Sequence, residues 1–384
     1  MKSNPRFFYL VIPLLSVFLV ASRCSSKPAE PAAQVADAGD SLPVTDSTVT
    51  ILYQSGRNGS LEPCGCHSTP FGGIDRELNA VRKLKASNPR VLYVDPGNML
   101  SPLVKPDQRE PMRKKAHVIV DAMALTGLNV FAPGPYDVSL GIPLLKELQK
   151  KAKFEFVSAN LADKAGKLIF APSTVIQVGP WKVGVTGISP TYKFPEGKIL
   201  DPIKALQKEL AGLSTKSDWI VVLSQMGSHT DNLKLLEKFP EIRMIFGTDG
   251  KRVLANGDMI AKGQQLAFNQ RPEGFYIGRV DVEYKKPFKG FFSKKWATLS
   301  RDAIKGWEDA LGKVPDEKKK ELEKSIADYK ATRLLAPVDG GSEFAHSMIA
   351  LDEATYGTKN ELSDAVAKYK EALRQEAVSK PAKK

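Results

Sequence analysis

The densest group of reactive side chains in the sequence is Cys64-Gly65-Cys66-His67, with Gly72-Gly73 a few residues on. Two thiols one residue apart allow several kinds of chemistry. A disulfide between them closes a very small ring, strained and more easily reduced than a structural bridge, which suits thiol exchange. Two thiolates and an imidazole can hold a soft metal such as zinc or copper if one more ligand comes from elsewhere. Haem attachment needs Cys-x-x-Cys-His, and this cluster is one residue short. In an oxidising compartment a plain disulfide that pins the loop is the simplest state. The chain of 384 residues has three Cys and four His, which excludes a disulfide scaffold and a zinc-finger array.

These side chains must be carried by a packed scaffold, since a chain 42% hydrophobic and 26% charged is globular rather than disordered or fibrous. Short apolar runs predict strands at Val49 to Tyr53, Val91 to Asp95, Phe154 to Val157, Val175 to Val178, Val183 to Gly187, Trp219 to Leu223, Met244 to Phe246 and Tyr276 to Val282. Amphipathic stretches between them predict helices over Asp75 to Ala86, Pro111 to Thr126, Ile142 to Lys151, Pro202 to Leu213 and Asp231 to Phe239. Strands that are apolar throughout imply a sheet covered on both faces, hence an α/β domain over 49–284 with a mixed sheet. Gly179-Pro180 reads as a tight turn. Residues 285–384 read as a Lys-rich helical tail, in which Leu322, Ile326 and Tyr329, and then Leu362, Val366, Tyr369 and Leu373, form apolar stripes. His117 reads as a partly exposed helix residue, and His346 falls in a Gly-rich turn region.

The first residues have the layout of an export signal: Lys2 and Arg6, an apolar run from Phe7 to Val20, then small residues before Cys24. The run is shorter than the ~20 residues of a spanning helix. Residues 1–23 resemble a bacterial lipoprotein signal, which makes Cys24 the expected lipid attachment point, although Arg23 departs from the usual small residue. Residues 24–48, rich in Ala, Pro, Ser and Asp, read as a flexible tether. The expected location is therefore the cell envelope, with the membrane a partner through the lipid. The net charge of +13 is spread along the chain with no basic block interleaved with aromatics, so no nucleic-acid partner is expected. An anionic ligand or an envelope protein fits better.

The segments ILYQSGRNGSLEP, FGGIDRELNAV, VLYVDPGN, GPYDVSLG, VSANL, WKVGVTGI, IVVLSQMG and MIFGTDG follow one another in the order and at the spacing of the N-terminal domain of secreted 5′-nucleotidases, a family of calcineurin-like metallophosphoesterases. The resemblance implies an α/β fold of four layers, two mixed sheets flanked by helices, here with a C-terminal helical extension. The cysteine loop is similar to that of a divergent, Cys-Gly-Cys-containing branch of exported bacterial proteins. Family members hold two metal ions with carboxylates, an Asn and several His. Here the first metal motif aligns with Gly56-Arg57-Asn58-Gly59, and the bridging carboxylate position holds Asn98 after Gly97. The Gly-Asn-His-Glu motif becomes Gly134-Pro135-Tyr136-Asp137. Leu223-Ser224-Gln225 and Gly247-Thr248-Asp249-Gly250 lack the remaining imidazoles. The family's nucleoside-clamping second domain has no counterpart after Lys285.

Glycines and strands in register with the ligands replaced point to a non-catalytic binding or interaction module. Asn58, Asn98, Tyr136 and Asp137, with Arg57, are expected to line the remnant cleft and could hydrogen-bond an anion. A hydrolase with a rebuilt site using Asp95, Asn98, Asp137, Asp249 and His229 is the first alternative, with a divalent metal as its cofactor. Thiol redox or soft-metal binding by Cys64, Cys66 and His67 is the second.

Overall fold

The computed structural model describes residues 40–64, 70–101, 104–248, 258–260, 263–270, 272–332 and 338–379. Cys24, Cys66, His67 and Asp249, with the signal and most of the tether, lie outside the described residues. The chain enters through β1 (Thr48–Tyr53), α1 (Ile74–Ser87), β2 (Val91–Asp95), α2 (Arg109–Leu125), β3 (Val130–Phe131), α3 (Ile142–Lys151) and β4 (Glu155–Phe156). It continues through β5 (Leu161–Asp163), β6 (Ser173–Val178), β7 (Trp181–Ile188), β8 (Tyr192–Phe194), β9 (Gly197–Ile199), α4 (Pro202–Ser214), β10 (Trp219–Ser224), α5 (His229–Lys238), β11 (Ile242–Thr248), β12 (Asp258–Ile260), β13 (Gln265–Gln270) and β14 (Tyr276–Glu283). The remaining elements are β15 (Phe291–Phe292), α6 (Lys294–Leu311), α7 (Asp316–Thr332), β16 (Ser342–Ala350), α8 (Glu353–Tyr356) and α9 (Glu361–Ser379).

One sheet runs β15-β16-β14-β1-β2-β3-β4 and the other β12-β13-β11-β10-β7-β6, both mixed, beside a small β5-β9-β8 sheet. Period two explains the apolar runs. In β1, Val49, Ile51 and Tyr53 point between the two large sheets while Leu52 points to the helices outside, and in β10 Trp219, Val221 and Leu223 alternate with Ile220 and Val222 in the same way. Every residue of such a strand is buried, each large side chain contributing roughly 1.5–3 kcal/mol. Helices α1, α2, α3 and α9 cover the first sheet, and α4 and α5 the second, which makes four layers. Val178 faces Trp181 across the Gly179-Pro180 turn, as the sequence indicates. Among the described residues no helix is long and apolar enough to cross a membrane.

The expected helical tail differs from what is found. It holds α6, α7 and α9, but it also returns a nine-residue strand, β16, to the first sheet, antiparallel to β14 from Tyr276↔Ala350 to Glu283↔Glu343. His346 is thus a strand residue rather than a turn residue. It is buried between the sheets, where its Nε2 meets the Tyr53 hydroxyl at 2.9 Å. The Tyr53 ring reaches it by lying over Gly278 of β14, where an added Cβ would stand 2.1 Å from the ring. Phe344 and Met348 complete the inter-sheet core, and Leu362 and Val366 of α9 join the outer one. A chain ending at Tyr284 is therefore expected to lose cooperative thermal unfolding, because it bares β14 as an edge and removes both sets of contacts. Native-like melting of that truncated chain would contradict this packing.

Candidate functional site

The loops that follow β1, β2 and β3 meet those that follow β10 and β11 at one edge of the sandwich. The β1 and β2 loops stay paired past their strands, with Gly56 N–H donating to Gly97 O (2.9 Å), Asn58 N–H to Asn98 O (3.0 Å) and Gly59 N–H to Met99 O (2.8 Å). Gly97, at φ 107, has to be glycine: a Cβ there would fall 2.1 Å from the Ala132 carbonyl oxygen. Asn58 and Asn98 adopt the left-handed region at φ 53 and φ 58, which Asn tolerates better than other non-glycine residues.

Asp137 lies beneath these loops with no exposed surface. Its carboxylate accepts backbone N–H groups from Gly134 (2.7 Å), Asn98 (2.8 Å) and Leu100 (3.1 Å). Burial raises its pKa to about 6 despite these donors. The Asn98 carboxamide is engaged at both ends, accepting from Tyr136 N–H (3.1 Å) and donating to Gln225 Oε1 (2.7 Å). Gln225 Nε2 in turn faces Pro96 O (2.9 Å), Thr248 Oγ1 (3.2 Å) and Ser55 Oγ (3.3 Å), and the Ser55 and Thr248 hydroxyls bond each other. Asp95 Oδ1 accepts from Gly97 N–H (2.8 Å), whereas its Oδ2 is buried without a partner among the described residues. Burial pushes this carboxyl up to about 8, opposed by the Arg57 charge.

The structure brings together Asn98, Asp137 and Gln225 and adds Ser55 and Thr248, while the Tyr136 side chain is exposed and its backbone N–H bonds to Asn98. Asn58 lines a neighbouring cavity. Arg57 is not in the cleft. Its guanidinium turns back into the scaffold to pair with Glu77 of α1 (2.6 and 3.1 Å), where Gln54 also accepts from it and Tyr93 donates to the same carboxylate (2.7 Å). His229 opens α5, with its ring nitrogens at 2.8 Å from Asp258 Oδ2 and from Asn269 Nδ2. His117 lies on α2, 3.2 Å from Glu147. Cys64 is half-buried at the neck of its loop, its N–H bonded to Phe71 O (2.9 Å) and its Sγ accepting from Phe71 N–H (3.3 Å). Ser55 gives no signal in the sequence, because a lone hydroxyl beside a glycine carries no spacing pattern, and Thr248 enters there only as part of the Gly247-Thr248-Asp249-Gly250 segment.

The donors do not fit a pair of divalent cations. Such ions require several anionic or imidazole ligands, and among the described residues no group of three or more His, Cys, Asp or Glu is placed to hold one. Among the described residues, Asn98, Gln225, Ser55 and Thr248 are neutral amides and hydroxyls bonded to one another, with the buried carboxyls of Asp95 and Asp137 on the same loops.

Two mixed sheets face to face, flanked by helices, with the loops of both meeting at one edge, make this a fold of the calcineurin-like phosphoesterase type. Solved structures agree. A 5′-nucleotidase precursor of Thermus thermophilus superposes with a TM-score of 0.61 at 20% identity, over 85% of this chain and 59% of the other. A calcineurin-like phosphoesterase of Bacillus subtilis gives 0.58 at 13% identity, over 85% and 97%. In sequence, the chain is 28% identical over 227 residues to a 5′-nucleotidase of Diplobatis ommata and 25% identical over 273 residues to one of Mus musculus. These matches take in 54% and 62% of this chain but only 38% and 46% of those relatives. No protein-family model matches. The chain resembles the 5′-nucleotidase family of metallophosphoesterases.

Both buried carboxyls hold their proton more tightly in the folded chain than at the ordinary pKa of 3.8. Their contribution to stability is complete below about pH 4 and is lost as pH rises through about 6 for Asp137 and about 8 for Asp95. Each tenfold gain in proton affinity is worth about 1.4 kcal/mol, so the loss reaches a few kcal/mol. Asp95→Asn, neutral at every pH, is expected to melt at a higher temperature than the unmodified chain at pH 9, with the gap narrowing as pH falls and closing near pH 4. A gap that does not change with pH would refute the assignment.

Proposed function

We propose that this chain is an exported, lipid-anchored protein that uses a metallophosphoesterase fold to bind a ligand or partner and not to hydrolyse phosphoesters. The observation that carries the reading is the Asn98 to Gln225 hydrogen bond at 2.7 Å, which closes the cleft with neutral groups where dimetal chemistry needs charged ligands. A carboxylate at the position of Asn98 would need a cation beside it, whereas an amide paired with an amide needs none. Export and anchoring rest on the N-terminal pattern that ends at Cys24. The family's activity, its substrates and its two metals are not carried over to this chain.

Protein prepared without chelators and supplied with manganese or zinc is expected to leave AMP and bis(p-nitrophenyl) phosphate intact and to retain no stoichiometric metal. Metal-dependent turnover that a chelator abolishes and fresh metal restores would overturn the reading. For the anchor, Cys24→Ser is expected to move the protein from the membrane fraction to the soluble fraction. An unchanged distribution would remove Cys24 as the attachment point.

A further inference from the structure

The strands that lead to the cleft start at the opposite edge of the sandwich. β1, β2, β7, β10 and β11 begin there and β14 ends there. α1, α2, α3 and α5 also end there, since each returns the chain between parallel strands. The described chain begins on this edge: Asp40 lies near Lys295, and Arg90, just before β2, donates to Thr48 O (3.2 Å) and Thr45 O. Trp181 Nε1, at the start of β7, stands 3.5 Å from Ser47 O and so joins the two sheets here. Phe288 stacks on Tyr284 with ring centroids 5.5 Å apart, and Trp181 meets Tyr284 edge-on at 5.1 Å. Arg243 lies over Phe288 at 4.4 Å and Lys286 over Trp181 at 6.0 Å. Val44 and Leu125, two of the exposed large apolar side chains, sit on the same edge.

Positive charge is in excess around these rings. Lys286 pairs with Asp218, Lys294 with Glu343 (3.0 Å), and Asp40 offsets Lys295. Lys182, Lys216, Lys285 and Lys289 are exposed and make no ion pair among the described residues, while Arg90 and Arg243 donate to main-chain carbonyls. Only Asp46, Glu241 and Glu283 remain to answer them. Further out, α1, α3 and α5 carry lysines in their last turns, of which Lys151 pairs with Asp121, and Glu155 and Glu237 are the other acids among them. Ammonium groups around half-buried aromatic rings and exposed apolar tips match a layer of anionic lipid headgroups. The segment between Cys24 and Asp40 spans at most about 50–60 Å fully extended, so a lipid on Cys24 keeps this edge within reach of the bilayer and raises the effective concentration of headgroups around it. We propose that this edge docks on the anionic phospholipid bilayer that holds the anchor, which turns the cleft away from the membrane. The proposal rests on the lipid-anchor reading above for its setting. Salt screens such a contact, so at physiological ionic strength the anchor still decides whether the protein stays in the membrane fraction.

Cosedimentation with vesicles tests it, using the chain from residue 24 onward with Cys24→Ser, so that neither the signal nor a lipid contributes. At about 20 mM salt, where charge acts over roughly 20 Å, binding is expected to vesicles of phosphatidylglycerol and phosphatidylcholine in equal parts, but not to phosphatidylcholine alone. That binding is expected to disappear at about 0.5 M salt. Lys182→Gln, Lys285→Gln and Lys289→Gln together are expected to weaken it at least about tenfold, since each lysine near an anionic surface contributes about fivefold. The three corresponding arginine replacements should retain it. Lys164→Gln, Lys167→Gln and Lys193→Gln, beside or on the small β5-β9-β8 sheet, remove the same charge and are expected to change it no more than about twofold. Absence of binding, equal binding to neutral vesicles, indifference to the first set, or an equal loss with the small-sheet set overturns the proposal. Arginine variants that melt like the parent but do not bind also count against it. Lysine-dependent binding with an unchanged distribution of Cys24→Ser in cells would sink the anchor reading alone. Release of Cys24→Ser from membranes with no vesicle binding would sink this proposal alone.

Discussion

Three backbone N–H groups from two different loops converge on the Asp137 carboxylate, and the edge of the sandwich takes its shape from that convergence. The donors of Asn98 and Leu100 follow β2, and that of Gly134 follows β3, so one buried side chain fixes the spacing between neighbouring loops. Holding Asn98 by its N–H turns its backbone left-handed and aims its carboxamide at the second sheet. Gly97 lacks a side chain because this arrangement brings it against the Ala132 carbonyl. The donors are worth more here than they would be in water, since the site excludes solvent.

From that fixed point a chain of neutral groups crosses between the two sheets. Asn98 reaches Gln225, and Gln225 reaches back to Pro96 and Ser55 while also touching Thr248. Each amide both donates and accepts, so no net charge has to be buried, whereas two bare carboxylates facing each other here would repel and take up protons. Asp95 illustrates the cost of the charged alternative. One of its oxygens is left without a partner among the described residues, and its proton affinity rises accordingly.

Much of this was legible in the sequence where burial is two-sided and local. The runs of β1, β2 and β10 announce themselves because both faces of each strand are covered, and the Asp137 and Asn98 positions follow from the resemblance to the 5′-nucleotidase motifs, whose glycines stay in register. β16 was hidden because Glu343, His346 and Ser347 interrupt its apolar pattern, and because helices precede and follow it. Their burial depends on partners such as Tyr53, almost three hundred residues away in the chain. The direction of Arg57 was equally invisible. Its partner Glu77 lies twenty residues on, inside a helix that reads as an ordinary amphipathic segment. The cavity beside Cys64 depends on α9 folding back across α2, a tertiary event with no local signature.

The order of strands in the first sheet bears on how the molecule is made. β1 is flanked by β2, available almost at once, and by β14, which is synthesised more than two hundred residues later. β14 then waits for β16. Closing such distant pairs costs chain entropy before any contact repays it, which slows assembly. A chain emerging on the far side of a membrane would hold β1 and β2 as an incomplete apolar surface until its last hundred residues arrived. Its passage to the native state therefore depends on that surface being shielded in the interval.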